Sequence, residues 1–391
     1  MKPTALQGPR VLVIGQRLAT VVEDALPDAV LEVAGAERLE LLSSVHAAID
    51  LVIIDAESAD PAVLASAISG LAARSRPPAA ILAGSHLPAM LVRAFLRLPR
   101  SDIIDSPFSA TELSQMAIAL LAEAEGDVVS PNNSRCWTVV GAVGGCGATT
   151  IAVEIASTLA RRTPGDRRAV LVDLNLNDGA AAAYLGAAPS MLLGEASAAP
   201  DRIDQALLEA FSARVAGGLD LLACPRDPRG FGKVSAAAVC RLLEVACQVY
   251  DWVIVDMPRH HQPWTLDVLS GSDEVLVVSE LTVPALIAAR SLAAELEADL
   301  PNGPQPRIIL NRLANRVLGP APSLSEAEKA LERKADGGIT SDWEAAAASV
   351  NLGGAISQHR PRSKIVRDIN VLVDRLTQPA KGSFTGRARV A

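Results

Sequence analysis

The stretch Trp137–Thr150, WTVVGAVGGCGATT, holds the residues best suited to chemistry. Gly141, Gly144, Gly145 and Gly147 crowd a turn between a β-branched run, Thr138-Val139-Val140, and a helix start at Ala148-Thr149-Thr150. Glycines let successive backbone N–H groups turn inward, and a new helix points its positive dipole end at the same spot. Strand, loop and helix together make a cradle for phosphate. The pattern for such a loop is G-x-x-x-x-G-K-[ST]. Here Ala142 stands at the first glycine, Gly147 at the second, Ala148 at the lysine and Thr149 at the magnesium-ligating hydroxyl. The cradle is kept and its side-chain cation is missing.

The elements around this loop repeat a strand–helix rhythm. Ala169–Val172 reads as a strand ending at Asp173, followed by Asn175, Asn177 and Asp178. Leu219–Ala223, Trp252–Val255 (ending in Asp256), Glu274–Val278 and Arg307–Leu310 (running into Asn311-Arg312) read as further strands. Helical patterns occupy Ile151–Arg162, Ser235–Val249, Pro284–Leu296, Leu324–Glu332 and Ser363–Leu376. Acids at strand ends beside a glycine loop gather at one sheet edge, where open α/β sheets bind ligands. Residues 10–124 show the same rhythm on a smaller scale. Strands are expected at Arg10–Ile14, Ala29–Val33, Leu51–Asp55, Ala79–Leu82 and Asp102–Ile104, with helical patterns at Ala36–Val45 and Ala110–Ala124. Asp55 ends the third strand, Ser85 follows the fourth and Ser106-Pro107-Phe108 the fifth. This part resembles a response-regulator receiver domain, in which the third-strand aspartate takes a phosphoryl group. The chemistry needs Mg²⁺ to neutralise developing charge. Gly15 and Gln16 stand where the family's metal-holding acids belong, and Ser106 stands at its lysine. The expectation is a phosphorylation-dead pseudo-receiver whose Asp55 lacks both metal and counter-cation.

Composition narrows the function classes. The 391 residues suffice for two or three domains, and aromatics are only 3%, so alanine, valine and leucine must fill the core. A net charge of −8 gives no whole-molecule attraction to nucleic acid. The five cysteines (136, 146, 224, 240, 247) follow no metal-ligand or C-x-x-C spacing and read as reduced, buried thiols of a cytosolic protein. Cys146 reads as a small filler of a variable loop position. MKPTALQGPR has no apolar core of a signal peptide, and no run reaches the length of a membrane span. The expected class is α/β. A receiver-like (flavodoxin-like) domain over 1–125 is followed by a polar linker over 126–135. A P-loop NTPase-like parallel-sheet domain then covers 136–378, and a disordered tail 379–391.

Three ordered motifs, VGAVGGCGATT, LVDLNLNDG and YDWVIVDMPRHHQPWTL, resemble those of the MinD/ParA group of deviant-Walker ATPases. The domain order, the DMPR box, PWTL, ILNR and NLGGAISQHRPRSK resemble more closely the CpaE/TadZ branch, the assembly proteins of tight-adherence (Flp) pili. The resemblance implies a nucleotide site of Gly144, Gly145, Cys146, Gly147, Ala148, Thr149, Thr150, Asp173, Asp256, Asn311 and Arg312, with Thr149 and Asp256 at Mg²⁺ and Asn311 at the base. It also marks departures. Val143 replaces the signature lysine that reaches across the dimer, Ala148 the Walker lysine, and Asn175 the second switch acid. Each charge-assisted bond to phosphate contributes about 1.5–3 kcal/mol, so losing two lysines removes roughly 3–6 kcal/mol. ATP and Mg²⁺ binding is therefore expected to be weak or absent, and no catalytic residue is assigned. The resemblance implies a cytoplasmic homodimer that localises or scaffolds a pilus or secretion apparatus, with polar or membrane association through partners. The rivals are an active ATPase of this fold, a septum-placement regulator and a ParA-like DNA binder.

Weaker signals are read blandly. Arg259 is a candidate replacement cation but more simply a solvated strand-end residue. His260-His261 diverge in direction and lack further ligands at metal spacing. Residues 359–391 carry eight Lys/Arg against two Asp/Glu. The face Ile365, Val366, Ile369, Leu372, Val373 and Leu376 has helical spacing. A last helix packed on the sheet explains that face better than a membrane anchor does.

Overall fold

Runs of branched apolar residues make the strands β1 (Arg10–Ile14), β2 (Val30–Ala34), β3 (Leu51–Asp55), β4 (Ala79–Gly84) and β5 (Ser101–Asp105). All pair in parallel in the order β2-β1-β3-β4-β5, the doubly wound flavodoxin-like order. Helices α1 (Ala19–Ala25), α2 (Pro61–Ala72), α3 (Ala89–Leu96) and α4 (Ala110–Ala122) pack on its two faces. Every residue of β3 and β4 is buried, so these strands read as continuous apolar runs and not as alternating ones. This computed structural model describes residues 8–41, 49–72, 74, 77–85, 87–98, 100–122, 134–163, 165, 169–227, 233–301, 303–313 and 324–378.

The larger sheet comprises β6 (Arg135–Gly141), β7 (Ala169–Asp173), β8 (Ser212–Val215), β9 (Leu219–Ala223), β10 (Trp252–Met257), β11 (Glu274–Glu280), β12 (Pro306–Leu313) and β13 (Gly337–Thr340). Their order is β13-β12-β11-β6-β10-β7-β9-β8, all parallel except β8, which runs antiparallel to β9. The helices are α5 (Ala148–Arg162), α6 (Ala181–Leu185), α7 (Leu193–Ala196), α8 (Gln205–Phe211), α9 (Ala236–Val249), α10 (Thr265–Ser270), α11 (Val283–Asp299), α12 (Leu324–Leu331), α13 (Trp343–Leu352), α14 (Ile356–His359) and α15 (Lys364–Thr377). The period of two along each strand divides the core. Val170, Val172 and Val253 face α9, α10 and α11, whereas Leu171, Val139 and Ile254 face α5 and α15.

The last helix settles one alternative. Ile365, Val366, Ile369, Leu372, Val373 and Leu376 are all buried in the core beneath the sheet, and Ser363 caps the helix through the Val366 N–H at 3.2 Å. That face is committed to packing and leaves no apolar stripe for a bilayer. No helix among the described residues is long and apolar enough to cross a membrane.

Some boundaries differ from the sequence reading. Arg135, placed in the linker, is the first residue of β6, and its guanidinium stacks 5.6 Å from the Trp252 ring centroid. A short 3₁₀ helix covers Ala36–Leu41 where a longer helix to Val45 was expected; residues 42–45 lie outside the described residues. So do linker residues 126–133, residues 123–124 of the Ala110–Ala124 helix, and the tail 379–391. The cysteines are all free, but only Cys136, Cys146 and Cys247 are buried; Cys224 and Cys240 are half-buried.

The two sheets are clasped by charge. Arg93 of α3 donates to Asp273 at 2.7 Å and to the Gly271 carbonyl, and Arg97 also pairs with Asp273. Asp273 in turn accepts the Cys136 N–H at 2.8 Å, so the clasp grips the strand that leads into the glycine loop.

Candidate functional site

β6 delivers the chain into the loop, and α5 takes it out. Gly145 and Gly147 sit at φ 76° and 93°, a region that favours glycine. A Cβ at Gly147 would also collide with the Asn311 amide. Gly144 and Gly145 are exposed, with open space where side chains would be. α5 starts at Ala148 with no side chain capping its N-terminus, so its first N–H groups and its dipole face the loop. Val143 and Ala148 both pack against the apolar core, and neither offers charge. Thr150 is half-buried. Cys146 is buried, and burial pushes its thiol up, which suits a filler and not a nucleophile.

Two aspartates meet beneath the loop. Asp256 on β10 and Asp173 on β7 are register partners on neighbouring strands, and both are buried. Thr149 Oγ1 donates to Asp256 Oδ2 at 2.7 Å. Asp173 accepts the N–H groups of Asn175 (3.0 Å) and Ala181 (3.2 Å). Burial raises the Asp173 carboxyl to about 6; burial and then the charge of Asp173 raise Asp256 well above the usual range. No Lys or Arg among the described residues forms an ion pair with either carboxylate. The Asn175 side chain accepts the Asp178 N–H at 3.1 Å, forming a local turn.

The far wall comes from the end of β12. Asn311 Nδ2 donates to the Cys146 carbonyl at 2.8 Å, and Arg312 Nη2 to the Gly145 carbonyl at 2.7 Å. Arg312 also pairs with Glu280 at 3.0 Å and holds φ 59°, a left-handed conformation that a non-glycine residue rarely adopts. The sequence reading placed Asn311 at the base and Arg312 in the nucleotide site; here both tie down the loop. The pairing with Glu280 carried no sequence signal, because it depends on β11 lying between β6 and β12. Arg259 is exposed and shares a hydrogen bond with His260 at 3.2 Å, so it adds no cation to the aspartates. His260 and His261 are exposed, and no group of three metal-ligating side chains occurs among the described residues. Glu154 was missed. It is buried in α5, burial raises its carboxyl, and it accepts the Ile356 and Ser357 N–H groups at the start of α14, a structural cap.

The strand-end aspartate of the first sheet is built differently. Asp55 is 2% exposed and accepts from Arg17 Nε and Nη2, both at 3.0 Å. Glu57 joins Arg17 at 2.6 Å and accepts the Ser85 hydroxyl at 2.8 Å. The expectation that Asp55 lacks a counter-cation is therefore wrong. Arg17, three residues past β1, supplies one as a bidentate clamp. Gly15, at φ 120°, is required because a Cβ there would collide with that of Asp55.

Solved structures share this architecture. The ParA family ATPase from Chlorobium tepidum TLS is 26% identical, with 62% of this chain and 98% of that chain covered at a TM-score of 0.55. The chain carries the MinD/ParA fold. The Pyrococcus furiosus cell division ATPase MinD follows at 19% identity, with 62% and 98% covered and a TM-score of 0.52. The septum site-determining protein MinD complexed with Mg-ADP from Pyrococcus horikoshii OT3 gives 17% identity, 63% and 96% coverage and a TM-score of 0.53. Only the eight-stranded unit is large enough for matches of this extent. No family model and no curated protein matches the chain. Thr149 and Asp256, the hydroxyl and acid singled out by the motifs, are joined by a hydrogen bond beside the loop, and Ala148 opens α5.

Proposed function

We propose that this chain is a MinD/ParA-type positioning protein that has kept a weak Mg-nucleotide site and lost turnover. It localises or scaffolds assembly of a Flp/tad-type pilus or secretion apparatus. The observation that carries the reading is the mismatch at one edge: an open glycine cradle and an uncapped helix N-terminus above two buried aspartates that no cation among the described residues neutralises. The donor set fits a magnesium nucleotide. Thr149 and Asp256 would hold the metal, and loop amides would take the phosphates. Bound Mg²⁺ would supply the charge neutralisation that phosphoryl groups require. The chain itself supplies too little else. Ala148 has no charge to offer a phosphate, and Asn175 is uncharged and engaged in its own turn. Phosphoryl transfer relies almost wholly on positioning and charge stabilisation, so hydrolysis suffers more than binding.

The five-stranded domain fits a pseudo-receiver serving as a docking unit, because its aspartate is already neutralised from within. A homodimer of this kind would depend little on ATP, since Val143 packs on the core and cannot cross to a partner's phosphates. C₂ symmetry would need one self-complementary patch. In a host that makes such pili, deleting the gene should abolish them, and the Asp256→Asn chain should restore them. A folded Asp256→Asn chain that leaves cells bald would favour the ATPase. Intact pili with misplaced septa would favour the division regulator.

A further inference from the structure

A cavity of about 550 Å³ lies between the two sheets and away from the glycine loop. Val92 and Leu96 of α3, Ile103 of β5, Leu243 of α9 and Val268 of α10 give it apolar walls. Its charges do not balance. The three arginines that reach it are committed: Arg93 and Arg97 to Asp273, and Arg241 to Glu244 at 3.0 Å and the Ile203 carbonyl at 3.1 Å. Asp105, Asp201 and Asp267 also line it, are exposed, and form no ion pair among the described residues. An occupant should therefore have an apolar body and several positive charges.

We propose that this cavity is the docking site of the chain's own segment 379–391, PAKGSFTGRARVA. Lys381, Arg387 and Arg389 match the three free aspartates in number, and Phe384 supplies an apolar group for the walls. The segment also starts nearby. Leu376 of α15 lines a second cleft together with Arg97 and Asp273, and Arg97 belongs to the first cavity too. Thirteen residues beyond Gln378 reach about 45 Å when extended. The segment between the two sheets is excluded by charge. Residues 123–133 carry Glu123, Glu125 and Asp127 and no basic residue.

Limited trypsin digestion of the full chain tests this, with cleavage after Lys381, Arg387 and Arg389 followed by mass spectrometry. Cleavage should be at least about threefold faster in the Asp105→Asn/Asp201→Asn/Asp267→Asn variant, the smallest sum expected of three exposed ion pairs. Added salt should speed cleavage in the parent and leave the variant unchanged. Carbodiimide should join Lys381 to one of the three aspartates within the monomer. Equal cleavage rates in the two chains, or Lys381 joined only to carboxylates elsewhere, would overturn the proposal and leave the cavity to a basic segment of another protein.

Discussion

Each of the two sheets ends a central strand in a buried aspartate at its carboxyl edge, and the two sites solve the resulting charge problem in opposite ways. Asp55 is closed internally. Arg17 grips both its oxygens, and Glu57 and Ser85 complete the network, so nothing remains for a metal or phosphoryl group to neutralise. Asp256 and Asp173 share burial with each other and with one hydroxyl, and they receive no cation from the described residues. A strand-end acid therefore says little by itself; the group that balances it decides whether the site is finished or waiting.

The largest expected effect concerns that imbalance. Asp173 titrates at about 6, against 3.8 for an ordinary aspartate, so the folded state binds its proton more tightly than the unfolded state. The stability this confers is fully present below pH 4 and is lost as pH rises through 6. Asp173→Asn should flatten that slope in denaturant titrations and stabilise the nucleotide-free chain at pH 8. Asp55→Asn should shift stability the other way, because it removes the partner of a bidentate arginine. Equal signs for the two variants would break the contrast.

Next comes Ala148→Lys, which restores one charge-assisted bond and should raise Mg-nucleotide affinity by about one to two decades in calorimetry. An unchanged affinity would mean that the loop is not a phosphate site. At the closed site, acetyl phosphate with Mg²⁺ should leave Asp55 unmodified by intact mass; an Asp55-dependent adduct would show that Arg17 yields readily. The smallest effect is at the loop tether. Arg312→Ala should speed amide hydrogen exchange over residues 144–148 by roughly two- to tenfold, the range of one lost neutral-acceptor bond.

Much of the fold was legible because parallel strands buried on both faces are long apolar runs. β1, β3, β7 and β9 fall where those runs lie. The edge strands β8 (SARV) and β13 (GGIT) were not visible, since short sequences with polar residues or paired glycines gain their pairing only from a neighbour. The glycine loop, Thr149 and the two aspartates were legible as a motif. Their partners were not. Arg17 on Asp55 spans 38 positions and Arg312 on Gly145 spans 167, and contacts of that range arise from sheet order and not from local pattern.

The central claim is that the second site still accepts a magnesium nucleotide while its missing lysines remove turnover. Calorimetric titration of the unmodified chain with Mg-ATP, run beside a phosphate-release assay on the same sample, tests it most directly. The account predicts weak, Mg²⁺-dependent binding that Asp256→Asn abolishes, with phosphate release no faster than in that variant. Robust phosphate release by the unmodified chain, lost in Asp256→Asn, would contradict it.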